Sequence, residues 1–299
     1  MASNEVRAED FGFIYLDVDD PAIAWLAYRG LISSSDITPA NPGNISWFST
    51  KLIKRGLSST LEREGKFEGV RQKSFKEKLS RLSSLYTFDN VETAREALKN
   101  LGKFNSENLV SIEPADQDFR REIYDMQWID NFDLIGIDAA ERYWSGENYP
   151  EHPLPEALLS GRFWILGTSV RKRAYRTIQR LDPKALAVLE LARLAAHFGS
   201  NLGAISPWLR KEGETIIVSQ VINYDEKEGL EVFQRALGEH RKNPEFPINW
   251  PDLKPLKGSK EDKNLDDLFK VPDGRLFEHE FRVDKATELA QTIQNILLS

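Results

Sequence analysis

Apolar and polar positions along this chain fall into short blocks whose spacing switches between about two and about 3.6 residues. Phe11–Asp17 is almost continuously apolar, the pattern of a buried strand. Pro21 then opens a helix over Ala22–Arg29, and Gly30 stops it. Residues 33–48 are rich in Ser, Pro, Asn and Gly and read as a loop. Lys51–Arg81 is basic and mainly helical in period. Leu82–Phe88 reads as a short strand, and Asp89-Asn90 cap a helix over Val91–Leu98. Leu109–Glu113 and Ile123–Trp128 are predicted strands, and Leu134–Trp144 a helix.

Arg162–Gly167 reads as another buried strand, followed by a short basic helix over Val170–Arg180. Pro183 starts a strongly apolar helix, Ala185–Phe198. Ile216–Ile222 is a β-branched strand, and Glu226–His240 an amphipathic helix. Prolines and lysines in 243–264 suggest an extended connector, and Asp284–Leu298 is a final helix. No internal repeat is found. The expectation is an α+β protein. Residues 1–180 form one domain on a mixed, mostly antiparallel sheet with flanking helices. Residues 181–299 form a mainly helical C-terminal region with one or two strands.

Composition narrows the chemistry. The net charge of −7 gives no basic field for gripping phosphate backbones, which argues against a nucleic-acid partner. There are no cysteines, so disulfides, thiol catalysis and cysteine metal sites are excluded. That fits a reducing cytoplasm, the expected location. Met1–Asp10 is polar and acidic, unlike a secretory leader, and no apolar run is long enough to span a membrane. The four histidines, His152, His197, His240 and His279, are scattered without metal spacing. No Gly-rich phosphate-binding motif is present.

The most informative stretch runs from Tyr143-Trp144-Ser145-Gly146 to Pro153-Leu-Pro-Glu156-Ala-Leu-Leu-Ser-Gly161. It holds a lone carboxylate entering an apolar run, and such a group loses hydration unless something pairs with it. Glu156 is therefore either a functional acid or a structural one, the latter read as an acid in the first turn of a helix. The order of strand, helix and Gly, then Ser83-Ser84-Leu85-Tyr86-Thr87-Phe88-Asp89-Asn90, then Tyr143-Trp144-Ser145-Gly146 and Glu156, resembles the ADP-ribosyltransferase fold over about residues 11–170. The resemblance implies a split sheet that grips NAD in a cleft. It implies Glu156 as the catalytic carboxylate, and Tyr15, Ser84, Tyr86 and Trp144 as the NAD-binding side chains. An ionised carboxylate near the nicotinamide ribose stabilises the cation that develops as nicotinamide leaves. The acceptor of ADP-ribose, macromolecule or small molecule, is not identified. Leu16 departs from the family, which places an Arg or His there; Arg29, Arg71 or Arg81 are the candidates to replace that contact.

Two other readings remain open. Phe13-Ile-Tyr-Leu-Asp17-Val-Asp19 resembles the first motif of haloacid-dehalogenase-type phosphatases, with Asp17 as nucleophile, Asp19 as acid and Mg²⁺ between them. Pro21 departs from that motif, and Asp19 or Asp20 also reads as a cap for the helix that Pro21 opens. The third reading is a non-catalytic interaction protein.

Overall fold

Asp20 caps the first helix by accepting from the backbone N–H groups of Ala22 (2.9 Å) and Ile23 (3.3 Å), with Pro21 at the first helical position. This helix, α1 (Pro21–Arg29), ends at Gly30, whose φ of 87° is the left-handed conformation that glycine adopts without strain. Most of its apolar residues, Trp25 and Leu26 among them, are buried, which makes it a core helix rather than a surface one. The computed structural model describes residues 11–37, 44–101, 105–213, 215–246, 248, 276–284 and 287–297.

Around α1 lies a seven-stranded sheet. In chain order its strands are β1 (Gly12–Tyr15), β2 (Leu31–Ser33), β3 (Leu85–Phe88), β4 (Leu109–Pro114), β5 (Arg120–Asp125), β6 (Pro155–Ser160) and β7 (Arg162–Leu166). Their spatial order is β2-β7-β4-β1-β3-β6-β5. Every registered pair is antiparallel, so the sheet is not mixed. It consists of two halves, β2-β7-β4-β1 and β3-β6-β5, that meet at a single registered pair, Phe13↔Phe88. Gly161, with φ of 137°, carries the chain from β6 in one half to β7 in the other.

The helices cover both faces. α2 (Trp47–Lys54), α3 (Ser58–Ser74) and α4 (Val91–Leu101) precede β4, and α5 (Gln127–Asp130), α6 (Phe132–Ile135) and α7 (Ile137–Ser145) fill the connection from β5 to β6. After β7 come α8 (Thr168–Leu181) and α9 (Ala185–His197). Leu85, Ile112, Leu159, Phe163 and Ile165 pack with α1, α8 and α9 in the main core. Tyr124 and Leu158 point the other way, into a second core with Phe67 of α3 and Tyr143 and Trp144 of α7. A separate three-stranded sheet, β8 (Ile205–Glu212), β9 (Thr215–Ile222) and β10 (His279–Asp284), packs with α2, α3 and α11 (Glu288–Leu297). Between β9 and β10 lies α10 (Glu226–Lys242), capped by Asp225.

Several expectations change here. Ile123–Trp128 leaves the sheet at Asp125, whose carboxylate turns the chain by accepting from the N–H groups of Gln127, Tyr149 and Leu154. The helix read over Leu134–Trp144 is broken at Gly136, where φ is 80°. The loop at 33–48 holds the end of β2 and the start of α2, and Asn44 bridges to Trp208. The C-terminal half contributes three strands among the described residues, not one or two. A boundary near 180 does not divide the packing. Leu186, Leu189 and Ala192 of α9 share the core of Leu16 and Trp25, and Phe277 packs on Trp25 at 5.1 Å between ring centroids. The extended connector read over 243–264 falls mostly outside the described residues. No helix among the described residues is long and apolar enough to cross a membrane.

Candidate functional site

Glu156 stands on β6, opposite Phe88 of β3 and Tyr124 of β5. It is a strand residue, so the reading that places it in the first turn of a helix is corrected. Pro155 and the β-paired partners on both sides fix it in extended geometry. Directly opposed and alternate strand residues share a face, so Glu156, Leu158, Tyr86 and Tyr124 all face the second core.

That face is filled. Glu156 is 5% exposed, Arg81 4% and Glu64 2%. Arg81 is the hub. Its Nε and Nη2 form a fork onto the two oxygens of Glu64 at 2.7 and 3.1 Å. Its Nη1 donates to Glu156 Oε1 and, at 2.6 Å, to the Tyr143 hydroxyl. Tyr143 in turn donates to the same Glu156 oxygen at 2.8 Å. The guanidinium lies over the rings of Tyr86 (4.8 Å) and Tyr143 (5.1 Å), and the Tyr86 hydroxyl donates to the Arg81 carbonyl. α3, the segment before β3, α7 and β6 thus each send one polar group to a single buried point.

The electrostatics follow from burial. Desolvation pushes the Glu156 carboxyl up from its ordinary value; Arg81 and the Tyr143 hydroxyl oppose it, while Glu64 adds to it. Arg81 is held well above its ordinary range, because Glu156 and Glu64 outweigh the cost of its burial. Tyr143 and Tyr86 are both pushed well up by burial, so both hydroxyls stay protonated donors. One guanidinium between two carboxylates leaves an excess negative charge, which a proton shared with Glu156 would remove.

The remaining named residues scatter. Trp144 is fully buried and donates its indole N–H to the Phe67 carbonyl at 2.8 Å, so its ring is core rather than a stacking platform. Tyr15 donates to the Ala94 carbonyl of α4 at 2.9 Å and packs edge-on to Phe88. Ser84 lines a cavity of about 10 Å³ with Ser33, Ser35, Ser46, Ser83 and Ser206, and its buried hydroxyl has no hydrogen-bond partner. A cavity of that size holds one water and no nicotinamide. Arg71 pairs with Glu68, and Arg29 lies on the far side of α1's end, so only Arg81 of the three proposed replacements for Leu16 reaches Glu156. Leu16 itself is core.

For the phosphatase reading, Asp17 and Asp19 follow β1, whose neighbours β3 and β4 both run antiparallel to it, so no parallel strand lies beside it to carry paired aspartates. Asp20 is the cap of α1. The described residues contain no cluster of acids and histidines able to hold a metal.

Sequence reasoning missed Glu64 and Tyr143. Glu64 follows Leu61 by three residues and precedes Phe67 by three, so a carboxylate occupies a core position of an otherwise polar helix. That misplaced acid was the available signal. Tyr143 stood in the quoted Tyr143-Trp144 pair, but its neighbour drew the stacking role.

A family model described as a protein of unknown function (DUF2441) matches residues 39–172, less than half of the 299. The matched segment contains the whole Glu64–Arg81–Tyr143–Glu156 cluster. No curated protein matches the chain.

Proposed function

We propose that this chain is a non-catalytic binding protein in which Glu156 is structural. One observation carries the reading: the Glu156 oxygen that would face a ribosyl cation is already held by Arg81 and Tyr143, inside a core of aromatic rings. A preorganised catalytic carboxylate must meet charge that develops on a substrate. Here the charge it meets is a guanidinium of its own chain. Releasing Glu156 requires moving Arg81 away from Glu64 as well, and leaving either charge buried without its partner is strongly unfavourable. The test is to incubate the full chain with labelled NAD and cell extract. The expected result is no transferred label. Label transferred by the wild type and abolished by Glu156→Gln overturns the reading.

A second reading keeps NAD as substrate. What favours it is that Tyr86 and Glu156 share one face of the sheet across paired strands, as an ADP-ribosyltransferase requires. It needs an opened state in which Arg81 and Tyr143 leave Glu156, with Arg81 free to take over the contact that Leu16 lacks. NAD binding that raises the melting temperature of the wild type, and not of Tyr86→Ala, separates it from the first.

A further inference from the structure

A second concavity of about 230 Å³ lies away from Glu156, where the end of α1, strand β7, the first turn of α8 and the last turns of α9 converge. Its wall combines Trp164 and Leu166 of β7 with three guanidinium groups, Arg29, Arg171 and Arg193. Arg29 is 3% exposed, yet its donors go to neutral carbonyls, those of Ser200 (2.7 Å) and Leu202 (3.2 Å) among them. Arg171 donates to the Tyr28 carbonyl at 3.1 Å. Neither forms an ion pair with a carboxylate among the described residues. Only Arg193 is paired, with Glu190 at 2.6 Å. Among the described residues Glu190 is thus the one ion-paired acid against three cations, with Glu228 acting on Arg29 without forming an ion pair.

The arrangement is built rather than incidental. A Cβ on Gly30 would lie 3.2 Å from Arg171 Nη2, so the guanidinium rests on the one residue without a side chain. The basic run 170–180 is not uniformly solvated: Arg173 pairs outward with Glu107, while Arg171 turns inward. Arg29 and Arg171 each feel a neighbouring guanidinium, Arg29 that of Arg162 outside the cleft and Arg171 that of Arg193 within it. Burial, then Arg162, brings Arg29 down to about 10, with Glu228 offsetting in part. Burial, then Arg193, lowers Arg171. Buried positive charge without a partner is what an anion relieves. Arg forks match phosphate in shape, and an indole face beside them accepts a flat or apolar group. The volume is below the roughly 300–1,000 Å³ of sites for drug-sized ligands, so the ligand is small and a whole dinucleotide does not fit.

We infer that this cleft binds a small organic phosphate, its anionic group held by Arg171 and Arg193 and its planar or apolar part laid against Trp164 and Leu166. The inference stands apart from the reading of Glu156, because the two sites share no residue, and either can fail alone.

The full chain is titrated calorimetrically with adenosine monophosphate, inorganic phosphate and adenosine. Adenosine monophosphate binds saturably, phosphate binds more weakly, and adenosine does not bind. Arg171→Gln weakens the nucleotide about tenfold or more, the loss expected for one charge-assisted hydrogen bond. Arg171→Lys, which keeps the charge without the fork, weakens it less. Trp164→Leu weakens the nucleotide but not phosphate. Glu156→Gln leaves all three titrations unchanged. No saturable nucleotide binding overturns the inference, as does equal binding by wild type and Arg171→Gln. Phosphate binding as tightly as the nucleotide also overturns it, since the cleft would then recognise a bare anion.

Discussion

At Arg81, one side chain neutralises two buried carboxylates, Glu64 and Glu156, and donates to the Tyr143 hydroxyl that itself donates to Glu156. Replacing it by Met leaves two carboxylates facing each other in a core. We expect Arg81→Met to cost about 3–5 kcal/mol, the range for breaking a buried pair, read by urea unfolding. Glu156→Gln keeps an acceptor for both Arg81 and Tyr143 while removing the excess charge, and should cost less than about 1.5 kcal/mol at neutral pH. The pH dependence has a definite sign. A carboxyl whose folded value is raised above 4.5 lends its full stability below that pH, and loses it as pH rises through the folded value. The stability of Glu156→Gln relative to wild type should therefore improve as pH rises from 4.5. Asp20 does the opposite. Burial disfavours its charge, but His279, whose Nε2 lies 3.5 Å away, the nearby Lys54 and the Ile23 N–H outweigh that and bring it from 3.8 to about 2. Its contribution is present above pH 3.8 and is lost as pH falls toward 2. Asp20→Ala should cost about 0.5–2 kcal/mol at neutral pH, as for other N-caps, and the difference from wild type should shrink on acidification.

Among the elements, α1 with its two ends was the most legible from sequence, because Asp20-Pro21 and Gly30 are local signals with local causes. The strands β7 and β9, the basic α8 and the apolar α9 were legible for the same reason: their patterns are dense and continuous. β2 and β8 were not. β2 has three residues, too few for any period, and β8 mixes Pro207, Trp208 and Arg210 in a strand whose face is set by β9 and by Asn44. Glu156 was singled out as an acid that needs a partner, and it has one. Which partner was a tertiary question, since Arg81 and Tyr143 reach it from segments that no local pattern brings together. Gly30 shows how one position serves an element and a site at once. Gly30→Ala should cost about 1–2 kcal/mol for the left-handed backbone alone, and its Cβ would meet the Arg171 guanidinium. Thermal unfolding of that variant measures the first effect. Nucleotide titration measures the second, and a fall in melting temperature with unaltered affinity would show that Arg171 simply gives way.

The whole molecule is tied together across its middle. α9 and Phe277 complete the core begun by α1, and Trp25 donates its indole N–H to the Gly203 carbonyl at 2.9 Å. A fragment of residues 1–180 should therefore melt without a cooperative transition, whereas a sharp calorimetric peak would mark the first 180 residues as self-sufficient. The strand order has a further consequence, in time rather than in space. No ladder of the large sheet is a hairpin: Phe13 waits for Phe88 and Ser111, and Ile32 waits for Phe163. A chain emerging from the ribosome makes its central strand first and its neighbours long afterwards. Until then β1 and the apolar α1 have nothing to cover them. Closing such distant pairings is slow, on the order of milliseconds to seconds for β-rich topologies. Stopped-flow refolding should show that slow phase, and a chain with a prematurely exposed first strand is a natural client for chaperones during synthesis.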